Sequence, residues 1–317
     1  MYLVFDTETT GLPKNFSKPI DDFDNWSTAR CVQLAWQLHD SHGELIESGN
    51  DLIKPEGFEI PLESTAIHKI SNKLAIENGV SIVSVLSKFS KVLSQASYII
   101  GHNVNFDINI LGSEYLRIGQ DSPLLHAKYI DTMKSTVDFC KLTYGEEGFV
   151  KSVESNGHWV TRDGTDMYKF KVCVENFNTK LIDEGLIHKK SERVPNLELG
   201  EKINYVINNK GTIKIRKGYK SPKLEELYNI LFSDSYLLDY AHNGAADVNA
   251  TARCFFELLR LNVLSEKNCD ISEKLINDFI ASNSQAIKLW DIDLGPILQN
   301  KNDTSKKADT LPLEVSK

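Results

Sequence analysis

An α/β fold interrupted by a β-rich insertion is predicted by three features of this 317-residue chain. Residues 1–54 read as three successive strands joined by turns, an antiparallel meander. Further on, short apolar strands run twice into helical patterns, at residues 98–119 and 129–142. Between residues 144 and 221 the helical period disappears and turn-bounded strands replace it.

Tyr2-Leu3-Val4-Phe5 is apolar and β-prone, which puts Asp6 and Glu8 at a strand end. Side chains two apart on a strand share a face. Two such carboxylates repel each other: either water screens them at an open edge, or divalent cations neutralise them. A polar, proline-containing loop (13–30) with Phe23 and Trp26 follows. Residues 31–39 read as a buried strand, His42-Gly43 as a turn and 44–54 as a third strand. Residues 61–70 have helical character with Pro61 in the first turn. In 81–93, Ile82, Val85, Leu86, Phe89 and Leu93 keep helical spacing.

Tyr98-Ile99-Ile100 is a strand that stops at Gly101, and Asn105 is the expected N-cap of the next helix. Ile108, Leu111, Tyr115 and Ile118 mark its buried stripe. Asp107 falls in its first turn, where the helix dipole favours a carboxylate and where a plain capping role also fits. In the insertion, residues 159–168 form a hairpin about Asp163-Gly164 and 204–215 a second one about 208–211, while 181–190 read as irregular. Helical character resumes at Pro222 with Leu224, Leu227, Tyr228 and Leu231. A strong helix then carries Asp247, Val248, Ala252, Phe255 and Leu259. Five helical residues turn about 500°. His242 therefore has to precede that helix, in the loop with Gly244, if it is to point where Asp247 points. A loop histidine satisfied by its neighbours is the other reading. A last helix is expected within 272–290, and 299–317 is polar with an apolar island at Leu311-Pro312-Leu313, a tail expected to be disordered.

The composition, 41% hydrophobic and 25% charged, is that of a globular protein. No run approaches the roughly 18 apolar residues of a membrane span, and no basic, apolar leader precedes the first strand, so a cytoplasmic protein is expected. Cys31, Cys140, Cys173, Cys254 and Cys269 form no C-x-x-C pair, which argues against a zinc or disulfide framework. A net charge of -8 opposes capture of nucleic acid by bulk attraction, yet leaves room for local binding through metals and a few basic residues.

Three blocks give these acids a common context: Phe5-Asp6-Thr7-Glu8-Thr9-Thr10-Gly11, Gly101-His102-Asn103-Val104-Asn105-Phe106-Asp107 and His242-Asn243-Gly244-Ala245-Ala246-Asp247. Their order and spacing resemble the DnaQ-like, DEDDh-type 3′–5′ exonucleases. More narrowly, they look like the exonuclease domain associated with bacterial polymerase III α chains. The resemblance implies a ribonuclease H-like mixed five-stranded sheet flanked by helices, with the exonuclease domain over 1–143 and 222–264, the insertion over 144–221 and a helical extension over 265–298. It also implies a bacterial, nucleoid-associated enzyme hydrolysing DNA from a single-stranded or frayed 3′ end to nucleoside monophosphates. An RNA-trimming enzyme, or a fold that has lost turnover, are the other readings of the same blocks. A replicative polymerase and its sliding clamp are the partners it suggests.

By the same resemblance Asp6, Glu8, Asp107 and Asp247 would hold two divalent cations. Hard oxygen donors point to magnesium, with manganese able to substitute. His242 would be the general base. Leu12 would wedge against the terminal base, and Thr9, His68, Asn103 and Phe106 would contact the terminal nucleotides. Two positions depart from the family: Lys69 stands where glycine is usual, and Gly244 where alanine is usual. The insertion is the larger departure. Its basic end (Lys210, Lys214, Arg216, Lys217, Lys220 and Lys223) suggests a hairpin that guides the substrate, against the plainer reading of a solvated face.

Overall fold

The computed structural model describes residues 1–176, 181–189, 197–207, 209, 213–216, 218–264, 269 and 271–296. It divides into two compact units, Met1–Phe139 with Pro222–Lys317, and Cys140–Ser221. The expected disordered tail, with its apolar island, lies outside the described residues.

The first unit is built on a mixed sheet ordered β3-β2-β1-β4-β5. Strands β1 (Tyr2–Thr9), β2 (Cys31–His39) and β3 (Leu45–Leu52) form the antiparallel meander. Strands β4 (Tyr98–Gly101) and β5 (Tyr129–Asp131) add on in parallel. The chain's first strand is thus central, which suits the buried run Tyr2 to Phe5. Mixed pairing and flanking helices are the α/β architecture that the resemblance implies.

The two-residue strand period sorts β1 onto two faces. Leu3 and Phe5 join Leu34, Trp36 and Leu38 in a core with helices α3 (Ile82–Leu93) and α4 (Val104–Arg117), through Val85, Leu86, Phe89, Ile108 and Leu111. Tyr2 points the other way, its ring 5.2 Å from Phe255 and 5.8 Å from Phe256 of helix α9 (Gly244–Arg260). Each fully buried phenylalanine stabilises this packing by roughly 1.5–3 kcal/mol. On β2 the α9 face is polar: Gln33, Gln37 and His39 are all buried there.

Two short helices, α1 (Leu62–His68) and α2 (Asn72–Asn78), precede α3. The single helix expected after β5 is instead split into α5 (Thr132–Ser135) and α6 (Val137–Cys140). Helices α7 (Leu224–Leu231) and α8 (Tyr236–Tyr240) precede α9. Helix α10 (Glu273–Ser282) stops short of the expected 290. Residues 283–295 run without regular structure, held to α9 where Asn249 Nδ2 donates to the Trp290 carbonyl at 3.0 Å. No described helix is long and apolar enough to cross a membrane.

The second unit is a five-stranded antiparallel sheet ordered β10-β9-β6-β7-β8. Its strands are β6 (Glu146–Val160), β7 (Asp166–Asn176), β8 (Leu181–Lys189), β9 (Lys202–Ile207) and β10 (Ile213–Arg216). The strands of both expected hairpins pair; Asp163-Gly164 lies in the turn where the Thr161 N–H donates to the Thr165 carbonyl, while most of the expected turn at 208–211 lies outside the described residues. Residues 181–189 are not irregular, as their polar sequence suggests, but a strand paired with β7. A polar edge strand carries little apolar pattern of its own, and its backbone bonds come from its neighbour.

Candidate active site

Asp6 and Glu8 lie on the same face of β1 as Tyr2, and therefore face α9, whose first turn carries Asp247. Carboxylate oxygens of Asp6, Glu8 and Asp247 all lie within 4.8 Å of one another. Burial pushes Asp6 up to about 7. Burial raises Glu8 and Asp247 well above the carboxylate range, and the neighbouring carboxylates add to it. Among the described residues, no lysine or arginine is among the charges acting on these groups. Three converging hard oxygen donors without a cation of the protein's own suit a divalent ion of the magnesium or manganese kind.

Asp107 comes from the opposite side of the sheet. Thr7 shares the face of Leu3 and Phe5, the α4 face, and β4 partners β1 only as far as Val4. The Thr7 N–H lies beyond that last partner, and Asp107 Oδ1 accepts it at 3.0 Å together with the Thr7 hydroxyl at 2.6 Å. Burial raises the Asp107 carboxyl, with Asp6 adding to it, while the two Thr7 bonds oppose the rise. Asp107 is thus anchored beside the other three acids, and is not one of the three whose oxygens converge.

Both helix-borne acids sit in one short pattern, His-Asn-x-x-x-Asp, at 102–107 and at 242–247. The two copies are used differently. Asn243 caps α9, its side chain accepting from the Ala246 N–H at 3.2 Å. Asn103 adopts φ 69° at the start of α4, caps nothing with its side chain, and is exposed. The expected cap, Asn105, lies inside the helix. The Asn103 N–H donates instead to buried Asp131 at 3.0 Å, and the same carboxylate oxygen accepts from the Met133 N–H, capping α5. An acid at a strand end just before a helix is a readable cap signal, and it locates Asp131.

The histidines diverge as well. His102 is locked, Nε2 donating to the Pro222 carbonyl at 2.9 Å and Nδ1 lying 3.1 Å from the Thr132 hydroxyl. His242 is exposed, at φ 63°, ahead of α9 as the helical-turn argument requires. Its backbone N–H holds Asp247 Oδ2 at 3.2 Å. Gly244 lets this loop approach β2: a Cβ there would meet Gln33 Oε1 at 3.1 Å.

Of the remaining expected contacts, Leu12 is 63% exposed while the Thr28 hydroxyl pins its carbonyl at 2.7 Å. The Thr9 hydroxyl donates to the Gly11 carbonyl at 2.8 Å. Phe106 is half-buried, its ring 6.3 Å from that of exposed Phe16. His68 is buried, and Nδ1 accepts the Ile70 N–H at 3.0 Å, which places the ring proton on Nε2. Burial pushes the His68 ring down, opposed by the Thr9 backbone, and the nearby His242 and Lys69 charges add to the fall. Lys69 has φ 64°, the left-handed conformation that glycine adopts freely. Lysine there costs roughly 1–2 kcal/mol.

Residues 3–159 match a family model, RNase_T, described as Exonuclease. This chain carries an exonuclease domain of that family. Asp247 and His242 lie beyond the matched span, and the fold returns them to it. The DNA polymerase III PolC-type protein of Pediococcus pentosaceus is 31% identical over 134 residues, 42% of this chain and 8% of that protein. The DNA polymerase III subunit epsilon-like protein of Rhodobacter capsulatus is 31% identical over 129 residues, 39% of this chain and 16% of that protein. The exonuclease domain therefore corresponds to a small part of these relatives' length. Among solved structures, Escherichia coli Exonuclease I in complex with a dA16 oligonucleotide aligns with a TM-score of 0.47 at 16% identity, covering 88% of this chain and 42% of that one.

Proposed function

We propose that this chain is a metal-dependent 3′–5′ DNA exonuclease serving as a replicative proofreader. The convergence of Asp6, Glu8 and Asp247 within 4.8 Å carries the reading. Asp6, Glu8 and Asp247 would hold divalent cations, with Asp107 supporting from the α4 side. When bound, two such ions supply an activated water, a neutralised phosphate and a stabilised leaving oxygen. His242 would take the water's proton on a ring nitrogen as general base. Its exposed loop lets it approach the bound phosphate, while its backbone N–H keeps Asp247 oriented.

The other side chains position the strand end. Exposed Leu12 would present an apolar wedge to the terminal base, and Phe106 a ring face. The Asn103 amide faces solvent and is open to a phosphate or sugar. His68, whose ring also lies within reach of the Thr9 backbone, would offer its Nε2–H. Thr9, in the first block, would contact the terminal nucleotide.

The proofreading role is supported by relatives described as polymerase III components. A polymerase delivers frayed ends, so an acidic exonuclease need not capture DNA by itself. Pull-down of a replicative polymerase and its sliding clamp tests that association. For the chemistry, end-labelled single-stranded DNA and RNA are incubated with Mg2+, Mn2+ or EDTA. Release of mononucleotides from the 3′ end of DNA that stops in EDTA is expected; no metal-dependent release sinks the reading, and preference for RNA replaces the substrate. His242→Ala is expected to lower turnover by about 10²-fold or more with metal binding intact.

A further inference from the structure

We infer that the inserted unit, residues 140–221, is a barrel that binds single-stranded nucleic acid. Its connectivity is the first observation. Strand β6 is shared, pairing with β9 through Glu146 to Phe149 and with β7 through Gly148 to Val160. β7 pairs with β8, and β9 with β10. Every pairing is antiparallel, so β8 and β10 run in the same direction, and they come within 8 Å Cα to Cα. In the order of its own strands the sheet runs 5-4-1-2-3, and the approach of β8 to β10 brings its two edges together in the 1-2-3-5-4-1 order of a barrel. Register shifts at Val150/Ser152 and Ser155/His158 give β6 the bends that closure requires. Val150, Phe170, Val172, Val174, Ile203 and Tyr205 fill the interior.

A five-stranded barrel with a shared first strand and parallel strands 3 and 5 has OB-fold connectivity. Such barrels bind oligonucleotides on the face of strands 2 and 3 and on the loops joining strands 1–2 and 4–5. Here strand 2 is β7, and the buried alternation of Phe170, Val172 and Val174 turns Lys169 and Lys171 outward. The ribbon joining strands 1 and 2 projects Trp159 (38% exposed), and Arg162 is exposed at its tip. Behind them the His158 ring stacks on Tyr168 at 4.5 Å. On β10, Lys214 and Arg216 are exposed.

Charge is the second, independent observation. Residues 140–221 hold 15 lysines and arginines against 11 aspartates and glutamates, a net of +4 in a chain whose total is -8. Pairs such as Lys202 with Glu147 and Lys151 with Glu175 do not alter that surplus. A solvated hairpin face explains neither the closed topology nor a positive unit in a negative chain. Exposed aromatic rings beside cations favour a single strand, whose bases are free to stack, over a duplex, whose bases are hidden.

The test uses the full chain in EDTA and a fluorescent single-stranded DNA circle of roughly 30 thymidines, about twice the largest site of one such barrel. A circle has no terminus, so the exonuclease site is not what it reports, and binding is read without turnover. Saturable binding that weakens with salt is expected. Trp159→Ala, and separately Lys214→Glu with Arg216→Glu, are expected to weaken it about tenfold, while Trp159→Phe keeps it and thermal unfolding is unchanged. No binding of the circle, equal binding by wild type and variants, or tighter binding of a duplex circle overturns the inference.

Discussion

Asp107 completes the end of β1 that β4 leaves open, taking both the backbone N–H and the hydroxyl of Thr7 on one carboxylate oxygen, at 3.0 and 2.6 Å. The arrangement follows from strand parity. Thr7 faces α4 and Asp107, whereas its neighbours Asp6 and Glu8 face α9 and Asp247. Three consecutive residues therefore reach both helices that bring acids to the site.

Replacing Thr7 by valine keeps the volume and the N–H but removes the hydroxyl. The buried carboxylate loses one of its two Thr7 bonds, at a cost of about 1–3 kcal/mol. Thr7→Val is expected to lower the urea midpoint accordingly and to reduce turnover, measured on the same preparation, without abolishing metal binding.

Removing metal is expected to lower stability, because Asp6, Glu8 and Asp247 then face one another in a half-buried site without a counterion. A cation that binds only the folded state stabilises by mass action, by about 2.7 kcal/mol at a hundred times its Kd. Differential scanning calorimetry with Mg2+ or Mn2+ against EDTA checks this. In Asp6→Asn the metal-dependent rise in Tm is expected to be largely lost.

Acid sensitivity is expected from His39, far from the acids. The ring is fully buried against Trp290 and Phe256, and its nitrogens face the Gly43 carbonyl at 3.2 Å and the Gln37 side chain at 3.0 Å. Burial, opposed by the Gly43 carbonyl and Asp40, lowers it from 6.5 to about 4. Between those values the unfolded chain binds a proton that the folded one refuses, so stability rises with pH there. The contribution, about 3 kcal/mol, is complete above 6.5 and lost as pH falls through 4. Urea midpoints at pH 7 and pH 5 are expected to differ less in His39→Asn than in the wild type.

Glu114 is expected to be a stability residue. It lies on α4 at 2% exposure and receives Arg30 Nε at 2.7 Å, Arg30 Nη2 at 3.0 Å and the Cys31 N–H at 3.2 Å. Removing one partner of a buried pair costs about 3–5 kcal/mol. Glu114→Ala is expected in that range by urea denaturation, with Glu114→Gln milder because it still accepts from Cys31.

Much of the site is written locally. The apolar run before Asp6 and Glu8 announces a strand end, and the stripe from Val248 to Leu259 announces the helix that carries Asp247. Helical geometry alone puts His242 ahead of that helix, where it is found. Local pattern misplaces other features because they depend on distant partners. Asn103 takes φ 69° with its N–H directed to Asp131, 28 residues on, so the start of α4 is not where Asn105 suggests. Strand β8 reads as irregular because its backbone bonds come from β7.

By itself the sequence determined which residues are candidates for the chemistry, since apolar period, capping and acid spacing all act within a few residues along the chain. Only the tertiary structure decided how they meet. Central placement of β1 gives its two faces to α4 and α9. That placement converges Asp6 and Glu8 with Asp247, ties Asp107 to Thr7, and gives the two His-Asn-x-x-x-Asp copies different tasks. Such pairings join residues a hundred or more positions apart, and no local signal encodes them: they exist only once the sheet has chosen its strand order and the helices have buried their apolar faces against it.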